Sequence, residues 1–214
     1  MMRIRSRTGI SLLIISLVVL FNLTATVPTT GGDSYGTLLV ADSLVRYGKI
    51  SLENYPREIL DLFGPRVRLS NGLPFYYFPL GSSFLSIPLV GCARLLGVDV
   101  LSQDALLQRI MASVSSALIM LLMLRIGYRW RKDWASWIVP VLFWFGTGLS
   151  TATGTALESH NFAIVFALLA IDRVLGVGED QSIKTWGIIG CALFCAYVTR
   201  PTFALFSPFY SCGF

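Results

Sequence analysis

Long apolar runs alternate with short polar segments along this chain, and most runs have the length of a membrane-crossing helix. The runs occupy approximately residues 8–28, 105–126, 134–154, 161–177 and 185–199, and another begins at residue 201. An apolar stretch of about 20 residues spans the roughly 30 Å hydrocarbon core of a bilayer as an α-helix. The pattern therefore predicts an all-α, polytopic membrane protein with about five spans.

One further apolar run, at residues 79–97, has a different composition. Its sequence, PLGSSFLSIPLVGCARLLG, contains Pro79, Pro88 and Arg94 together with several glycines. Proline inside a helix removes a hydrogen bond and kinks the helix, and arginine is costly at the centre of a bilayer. We therefore predict a re-entrant or interfacial helix here, formed by one or two short segments rather than by a full span.

Basic residues set the expected orientation of the spans. The segment MMRIRSR precedes the first run, and RIGYRWRK at residues 125–132 follows the second full span. Short basic segments favour the cytoplasmic side, and both lie there if 79–97 does not cross the membrane. We expect a plasma or inner membrane protein with a cytoplasmic N-terminus, whose residues 29–78 and 155–160 face outward. A cleaved signal peptide is the alternative interpretation of the N-terminal segment.

The first extracytoplasmic loop, residues 29–78, contains a second kind of helix pattern. From Ser34 to Tyr47, apolar residues recur every three to four positions, as they do in an amphipathic helix. Asp33 stands where an N-cap is expected, and Gly48 stands where the helix should end. We predict an amphipathic helix that lies along the outer membrane surface with its apolar side against lipid.

Composition agrees with the membrane interpretation. Of the 214 residues, 54% are hydrophobic and 14% are charged, and the mean hydropathy is +0.67. Soluble domains carry about 25% charged residues. The net charge of +5 is not arranged as a basic stripe with exposed aromatics, so nucleic acid is not an expected partner. With one histidine and no C-x-x-C pair, no zinc site of the usual kind is expected.

Several short motifs follow one another in a recognisable order. They are Asp33 with Tyr35, then Ala41 to Gly48, then GLPFYYFPLG at residues 72–81, RIMASVSSALIMLLMLRIGYRW, GTALESHNFAIVFALLAI and GIIGCALFCAYVTRPTFALFSPF. In this order they resemble the C-type (GT-C) glycosyltransferases, which include the protein O-mannosyltransferases and the lipid A aminoarabinose transferases. The chain departs from that pattern at Asp33-Ser34, where many relatives have two adjacent acids, and at Phe78-Pro79, where they have two prolines.

The resemblance implies a reaction and a catalytic residue. GT-C enzymes transfer a sugar from a polyprenyl-phosphate-linked donor to an extracytoplasmic acceptor, with inversion at the anomeric carbon. Asp33 is the candidate general base, which takes the proton from the attacking acceptor hydroxyl. The simpler interpretation of Asp33 is a helix cap. Participation of a divalent metal is left open, because the relatives differ in this respect.

Five other residues of the outer face are candidates for substrate binding. Arg200 suits a phosphate oxygen of the donor, although an arginine at the end of a span also reaches lipid headgroups. Glu158 and His160 suit contacts with sugar hydroxyls, or alternatively form an ordinary solvated turn. Tyr76 and Tyr77 suit stacking on a sugar, or alternatively belong to the aromatic belt at the membrane interface.

The GT-C relatives are longer than this chain, which stops within an apolar run. We therefore expect residues 1–214 to be one transmembrane domain, the N-terminal portion of a larger module, and such a portion need not be active alone. The other function classes are a non-enzymatic structural subunit of a membrane complex and a transporter fragment. Transporters tend to carry charges midway through spans and internal repeats, whereas the charges here lie at span ends.

Overall fold

The computed structural model describes residues 2–24, 36–154, 157–176 and 182–202. Most of these residues are in α-helices, which confirms the all-α prediction. The helices in chain order are α1 (Met2–Thr24), α2 (Thr37–Tyr47), α3 (Arg57–Leu62), α4 (Gly81–Leu95), α5 (Asp104–Trp130), α6 (Ala135–Gly146), α7 (Leu149–Gly154), α8 (Ser159–Leu175) and α9 (Ile183–Thr199). A 3₁₀ turn, Gly64–Arg66, leads into an antiparallel hairpin of β1 (Val67–Ser70) and β2 (Leu73–Tyr76).

Helix α5 forms the centre of a helical bundle. It packs against α1, α6, α7 and α8, and α8 packs in turn against α9. In the described part of the chain, the 27-residue α5 is the one helix long and apolar enough to cross a membrane. Shorter apolar helices occupy Thr8–Thr24, Ala135–Gly146 and Ile183–Thr199. Ile119 of α5 and Trp144 of α6 are fully buried in the core that these helices share.

The predicted run at residues 134–154 is divided into two helices, α6 and α7. The helix stops at the sequence Gly146-Thr147-Gly148, since glycine disfavours helix and threonine offers a cap. The Thr147 hydroxyl oxygen accepts a hydrogen bond from the backbone N–H of Leu149 at 3.2 Å, at the start of α7. Hydrophobicity alone does not reveal this break, because the residues on both sides of it are apolar.

The run at residues 79–97 forms one 15-residue helix, α4, with Pro88 inside it. At about 1.5 Å per residue, α4 is roughly 23 Å long, which is shorter than the hydrocarbon core of a bilayer. It packs mainly against α2, with smaller contacts to α5, α8 and α9. The segment is therefore a single short helix, and its angle to a membrane stays a prediction.

Helix α2 begins at Thr37, later than the predicted start at Ser34. Gly36 takes the N-cap position with a φ of 110°, a conformation that favours glycine. A Cβ on Gly36 would lie 2.7 Å from the Tyr76 ring, so the close packing of β2 also requires glycine here. The predicted N-cap role of Asp33 is therefore wrong for α2, and Asp33 itself lies outside the described residues.

Protein, rather than lipid, covers the first two turns of α2. Every residue from Thr37 to Ser43 is buried, with Leu38 and Ala41 against α4 and the opposite side against the segment that carries α3 and the hairpin. The prediction that the apolar side of α2 lies against lipid is therefore wrong, because other segments of the protein cover that side. Gly48 ends the helix as predicted, with its N–H bonded to the Leu44 carbonyl oxygen at 3.0 Å.

Gly81 begins α4 at a point where no side chain fits. A Cβ there would lie 2.7 Å from the Thr199 Cα, and backbone atoms cannot move aside as a flexible side chain can. We expect Gly81→Ala to lower the free energy of unfolding by about 1–3 kcal/mol through overpacking, measured by thermal unfolding in a fixed detergent. Gly91→Ala on the same helix is the control, because its Cβ meets nothing within 4 Å. Equal melting temperatures for the two variants would contradict the close packing of α4 on α9.

Candidate functional site

Three helix ends meet at one end of the bundle, namely the start of α8, the end of α9 and the start of α4. Arg200, directly after α9, reaches the first turn of α8, where its Nη1 lies 2.9 Å from His160 Nδ1 and 3.3 Å from Ser159 Oγ. Glu158 precedes that turn as its N-cap residue. The fold thus brings together three of the predicted site residues, Glu158, His160 and Arg200.

The contacts of His160 define which ring nitrogen carries the proton. Its Nε2 lies 2.7 Å from the Ala152 carbonyl oxygen, which only accepts, so Nε2–H is the donor. Nδ1 is then free to accept from the Arg200 guanidinium, which only donates. Glu158 Oε2 lies 3.3 Å from the same Nδ1. The imidazole therefore holds Arg200 in place at the start of α8.

This arrangement has the chemistry of an anion site. The N-terminus of the 17-residue α8 presents backbone N–H groups and the positive end of the helix dipole. Arg200 is partly exposed, and its guanidinium lies beside this turn through contacts with Ser159, His160 and, at 3.2 Å, the Thr202 hydroxyl. A phosphate oxygen fits between such donors, and the Glu158 carboxylate beside them suits a sugar hydroxyl.

The predicted tyrosines occupy two different environments in and after β2. Tyr76 is buried, with its hydroxyl 3.5 Å from the Thr37 Oγ1 and its ring beside Gly36. In this position the ring supports the start of α2 and presents no free face to a sugar. Tyr77 is 59% exposed, and the Arg68 guanidinium lies 4.0 Å from its ring centroid. Tyr77 is therefore the one of the two tyrosines with an accessible ring.

A buried carboxylate that sequence reasoning missed lies between α2 and α4. Asp42 is 0% exposed, and its two oxygens accept hydrogen bonds from Arg94 Nε at 2.6 Å and Arg94 Nη2 at 2.7 Å. The Tyr55 hydroxyl donates to Asp42 Oδ2 at 2.7 Å, and Arg46 Nη1 is 3.8 Å away. The sequence contains a signal for this site, because Asp42 is four positions after Leu38 and so shares its apolar helix face.

The partners of Asp42 are held in defined protonation states. Burial raises the pKa of the Tyr55 phenol well above its ordinary value, and the hydrogen bond to Asp42 adds to the effect, so the phenol stays neutral. The hydrogen bond to Asp42 also raises the pKa of the Arg94 guanidinium, so it stays charged. The contact is a bidentate ion pair, the strongest kind of charged hydrogen bond, and it fixes α2 onto α4.

A second buried carboxylate, Asp172 of α8, lies at the opposite end of the bundle. It is 0% exposed, and its oxygens accept from Arg125 Nη2 at 3.1 Å and from Arg129 Nε at 2.9 Å. The sequence predicts only that the basic segment at residues 125–132 lies on the inner side, and the fold adds that two of its arginines pair with Asp172 between α5 and α8. The basic end and the Arg200 end of the bundle are therefore separate sites.

Polar groups also form hydrogen bonds inside the bundle, between α5, α7 and α8. The Asn161 amide donates to the Thr153 carbonyl oxygen at 3.0 Å and to Ser115 Oγ at 3.3 Å, and Ser116 Oγ donates to the same carbonyl at 3.2 Å. Asn22 of α1 is buried beside Gly154, and its side-chain N and O atoms have no hydrogen-bond partner within the described part of the chain. The interior of the bundle thus contains small polar side chains.

Comparisons with models of protein families, with curated proteins and with solved structures find no match to this chain. Among the residues that the structure describes, no group of three or more His, Cys, Asp or Glu side chains could hold a metal ion.

Proposed function

We propose that this chain is an integral membrane protein of the GT-C type, which transfers a sugar from a polyprenyl-phosphate-linked donor to an acceptor on the extracytoplasmic face. The proposal has two parts, the membrane embedding of the helices and the chemistry of the Arg200 end. Each part is supported by a different set of observations and is tested separately.

The distribution of apolar side chains supports the membrane embedding. Large hydrophobic side chains are exposed along α1, α5, α6 and α9, among them Leu13, Leu118, Leu142, Phe143 and Phe194. Monomeric soluble proteins rarely expose a continuous apolar surface of such extent. The interior instead holds small polar residues such as Ser115 and Ser116, which are typical of contacts between membrane helices.

The charged residues support an orientation with the Arg200 end outward. Arg125, Arg129 and Asp172 gather at one end of the bundle, and Arg200 with Glu158 lies at the other. Under the positive-inside rule the end that carries RIGYRWRK is cytoplasmic. The cluster of Glu158, His160 and Arg200 then faces the extracytoplasmic side, where a lipid-linked sugar would be used.

The observation that carries the transferase proposal is the position of Arg200 on the first turn of α8. A guanidinium and a helix N-terminus together bind phosphate well. The contact between Gly81 and Thr199 brings the Tyr-Tyr-Phe-Pro-Leu-Gly segment to the same place. Two segments that resemble GT-C motifs in sequence are therefore adjacent in the fold, although they are more than a hundred residues apart in the chain.

In the proposed reaction, the acceptor hydroxyl oxygen attacks the anomeric carbon of the donor sugar. The bond from that carbon to the phosphate oxygen breaks, and the lipid phosphate leaves with the electron pair. Asp33 takes the hydroxyl proton, and Arg200 stabilises the charge that develops on the leaving phosphate. A lipid phosphate is already a good leaving group, so the site needs a cation more than it needs a general acid.

A transfer assay tests the chemistry. Native membranes with Arg200→Gln or Arg131→Gln introduced in the chromosomal gene are supplied with polyprenyl phosphate that carries a radiolabelled sugar. A charged hydrogen bond contributes about 1.5–3 kcal/mol, so Arg200→Gln is expected to lower transfer by roughly 10- to 100-fold. Arg131→Gln is the matched control, because Arg131 is exposed and pairs with Asp133 at the other end of the bundle. Equal activities would contradict the phosphate role and favour a structural subunit.

Cysteine labelling from outside intact cells tests the orientation. In a background in which the native cysteines are serine, we expect an impermeant maleimide to label Ser70→Cys and not Lys132→Cys, both at exposed positions. Lys132 is a better reporter than the neighbouring Ser136, whose side chain is buried. Labelling of Lys132→Cys alone would mean that the chain is inverted. Labelling of both sites before cell lysis would mean that α4 crosses the membrane or that the helices are not embedded, and either result would contradict the proposed topology.

A further inference from the structure

The basic end of the bundle contains a cleft that the proposed transfer reaction does not use. Its volume is about 510 Å³, within the range of about 300–1,000 Å³ typical of ligand pockets. Leu121, Leu124 and Trp137 form apolar walls, and Arg125 and Tyr128 lie at the polar end. We infer that this cleft binds an anionic glycerophospholipid, with the phosphate at Arg125 and an acyl chain along the apolar walls.

The apolar side of the cleft continues onto the outer surface of the bundle. Leu121 lines the cleft and is 40% exposed, so the cleft is open on the side that faces lipid in the proposed orientation. Leu118 and Val114, one and two turns earlier on α5, are also exposed. An acyl chain that leaves the cleft therefore meets a continuous apolar strip along α5. A small soluble anion would gain nothing from this strip.

Charge at the polar end favours an anion. Arg125 donates only one N–H to Asp172, from Nη2 at 3.1 Å, and Asp172 also accepts from Arg129. Among the described carboxylates, Asp172 is the one that Arg125 contacts, and Asp172 also pairs with Arg129. Arg125 is 49% exposed and has further N–H donors at the cleft. A lipid phosphate would take those donors and balance the remaining positive charge.

Arg125 is therefore not needed merely to neutralise Asp172. Arg129 makes the shorter contact with this carboxylate, at 2.9 Å, and is the more buried of the two arginines. Basic pockets between membrane helices on the cytoplasmic side are the usual sites of anionic headgroups. The inference depends on the membrane embedding proposed above but not on the transferase chemistry, so the two proposals can fail independently.

Binding is measured on the intact chain, purified in a neutral detergent and stripped of lipid, by native mass spectrometry. The probes are phosphatidylglycerol and phosphatidylcholine with identical acyl chains, with inorganic phosphate as a competitor. We expect one tightly bound phosphatidylglycerol, weaker binding of phosphatidylcholine, and no displacement by millimolar phosphate. Equal affinities for the two lipids would overturn the inference. Displacement of the lipid by phosphate would identify a site for free phosphate and would also overturn it.

Two substitutions place the bound lipid in this cleft. Arg125→Gln leaves the pair of Arg129 and Asp172 intact and is expected to weaken phosphatidylglycerol binding about fivefold, as loss of one basic contact to an anionic lipid does. Arg131→Gln removes the same charge from a 70% exposed side chain outside the cleft and should leave binding unchanged. Equal loss in the two variants would overturn the inference, because it would indicate binding through overall charge alone.

Filling the cleft gives a second readout that does not alter charge. Leu121→Trp should weaken binding of both lipids, because the added ring occupies the path of the acyl chain. Ile188→Trp, at an exposed position of α9 that does not line the cleft, is the control and should leave binding unchanged. Unchanged binding in Leu121→Trp would overturn the inference even if Arg125→Gln failed to fold. Carbonate extraction of the membranes beforehand shows whether the chain is embedded at all, which separates failure of this inference from failure of the embedding.

Discussion

Replacement of Asp33 by asparagine is expected to lower sugar transfer by about 10²- to 10⁴-fold, the usual contribution of a general base. The substitution keeps the shape of the side chain and removes its ability to accept the hydroxyl proton. It is introduced in the chromosomal gene, and transfer is measured with the labelled polyprenyl-phosphate sugar. Protein level and membrane insertion should stay normal.

A structural role for Asp33 predicts the opposite result. Gly36 occupies the N-cap of α2, so asparagine at position 33 removes no cap from that helix. Asparagine also caps about as well as aspartate, so a capping role elsewhere would survive the change. Asp61→Asn, an exposed acid in the same segment between α1 and α4, is the matched control and should be silent. If Asp33→Asn left transfer unchanged while Arg200→Gln lowered it, a residue other than Asp33 would be the base that accepts the hydroxyl proton.

Sequence patterns predict where the helices of this fold begin and end better than they predict what surrounds each helix. The spacing of apolar residues identifies α2, and Gly48 identifies its end, because both depend on local backbone preferences. The same spacing fails to show that protein covers α2 on two sides, because burial depends on which segments return to pack against it. The break between α6 and α7 also depends on local chemistry, at Thr147, that hydrophobicity does not register.

In the candidate site, too, the sequence predicts single residues, whereas their contacts depend on how the helices pack. The sequence identifies Glu158, His160 and Arg200 as polar residues beside apolar runs. Their mutual contacts depend on the pairing of α8 with α9, which no local pattern shows. Asp42 is unusual in sequence only as an acid on an apolar helix face. Its partner Arg94 is 52 residues away, and no local pattern pairs the two. Long-range ion pairs of this kind become visible only when the packing of the helices is known.

The second large effect is expected from the ion pair of Asp42 and Arg94. Replacement of Arg94 by leucine leaves the fully buried Asp42 carboxylate without its bidentate partner. Removal of one member of a buried pair typically costs 3–5 kcal/mol, because the remaining charge is desolvated and uncompensated. We therefore expect Arg94→Leu to lower the free energy of unfolding by about that amount. Thermal unfolding in a fixed detergent measures the change.

Companion variants separate the charge from the contacts around it. Tyr55→Phe removes one hydrogen bond to Asp42 and leaves the ion pair, so we expect a smaller loss of about 1.5–3 kcal/mol. Combining Arg94→Leu with Asp42→Leu removes both charges and should restore part of the stability lost in the single variant, since apolar replacement of a whole buried pair is often tolerated. A double variant less stable than Arg94→Leu would contradict the explanation by an uncompensated charge. Because this pair holds α2 on α4, and α2 follows Asp33 by only a few residues, loss of the pair should also reduce transfer more than Tyr55→Phe does.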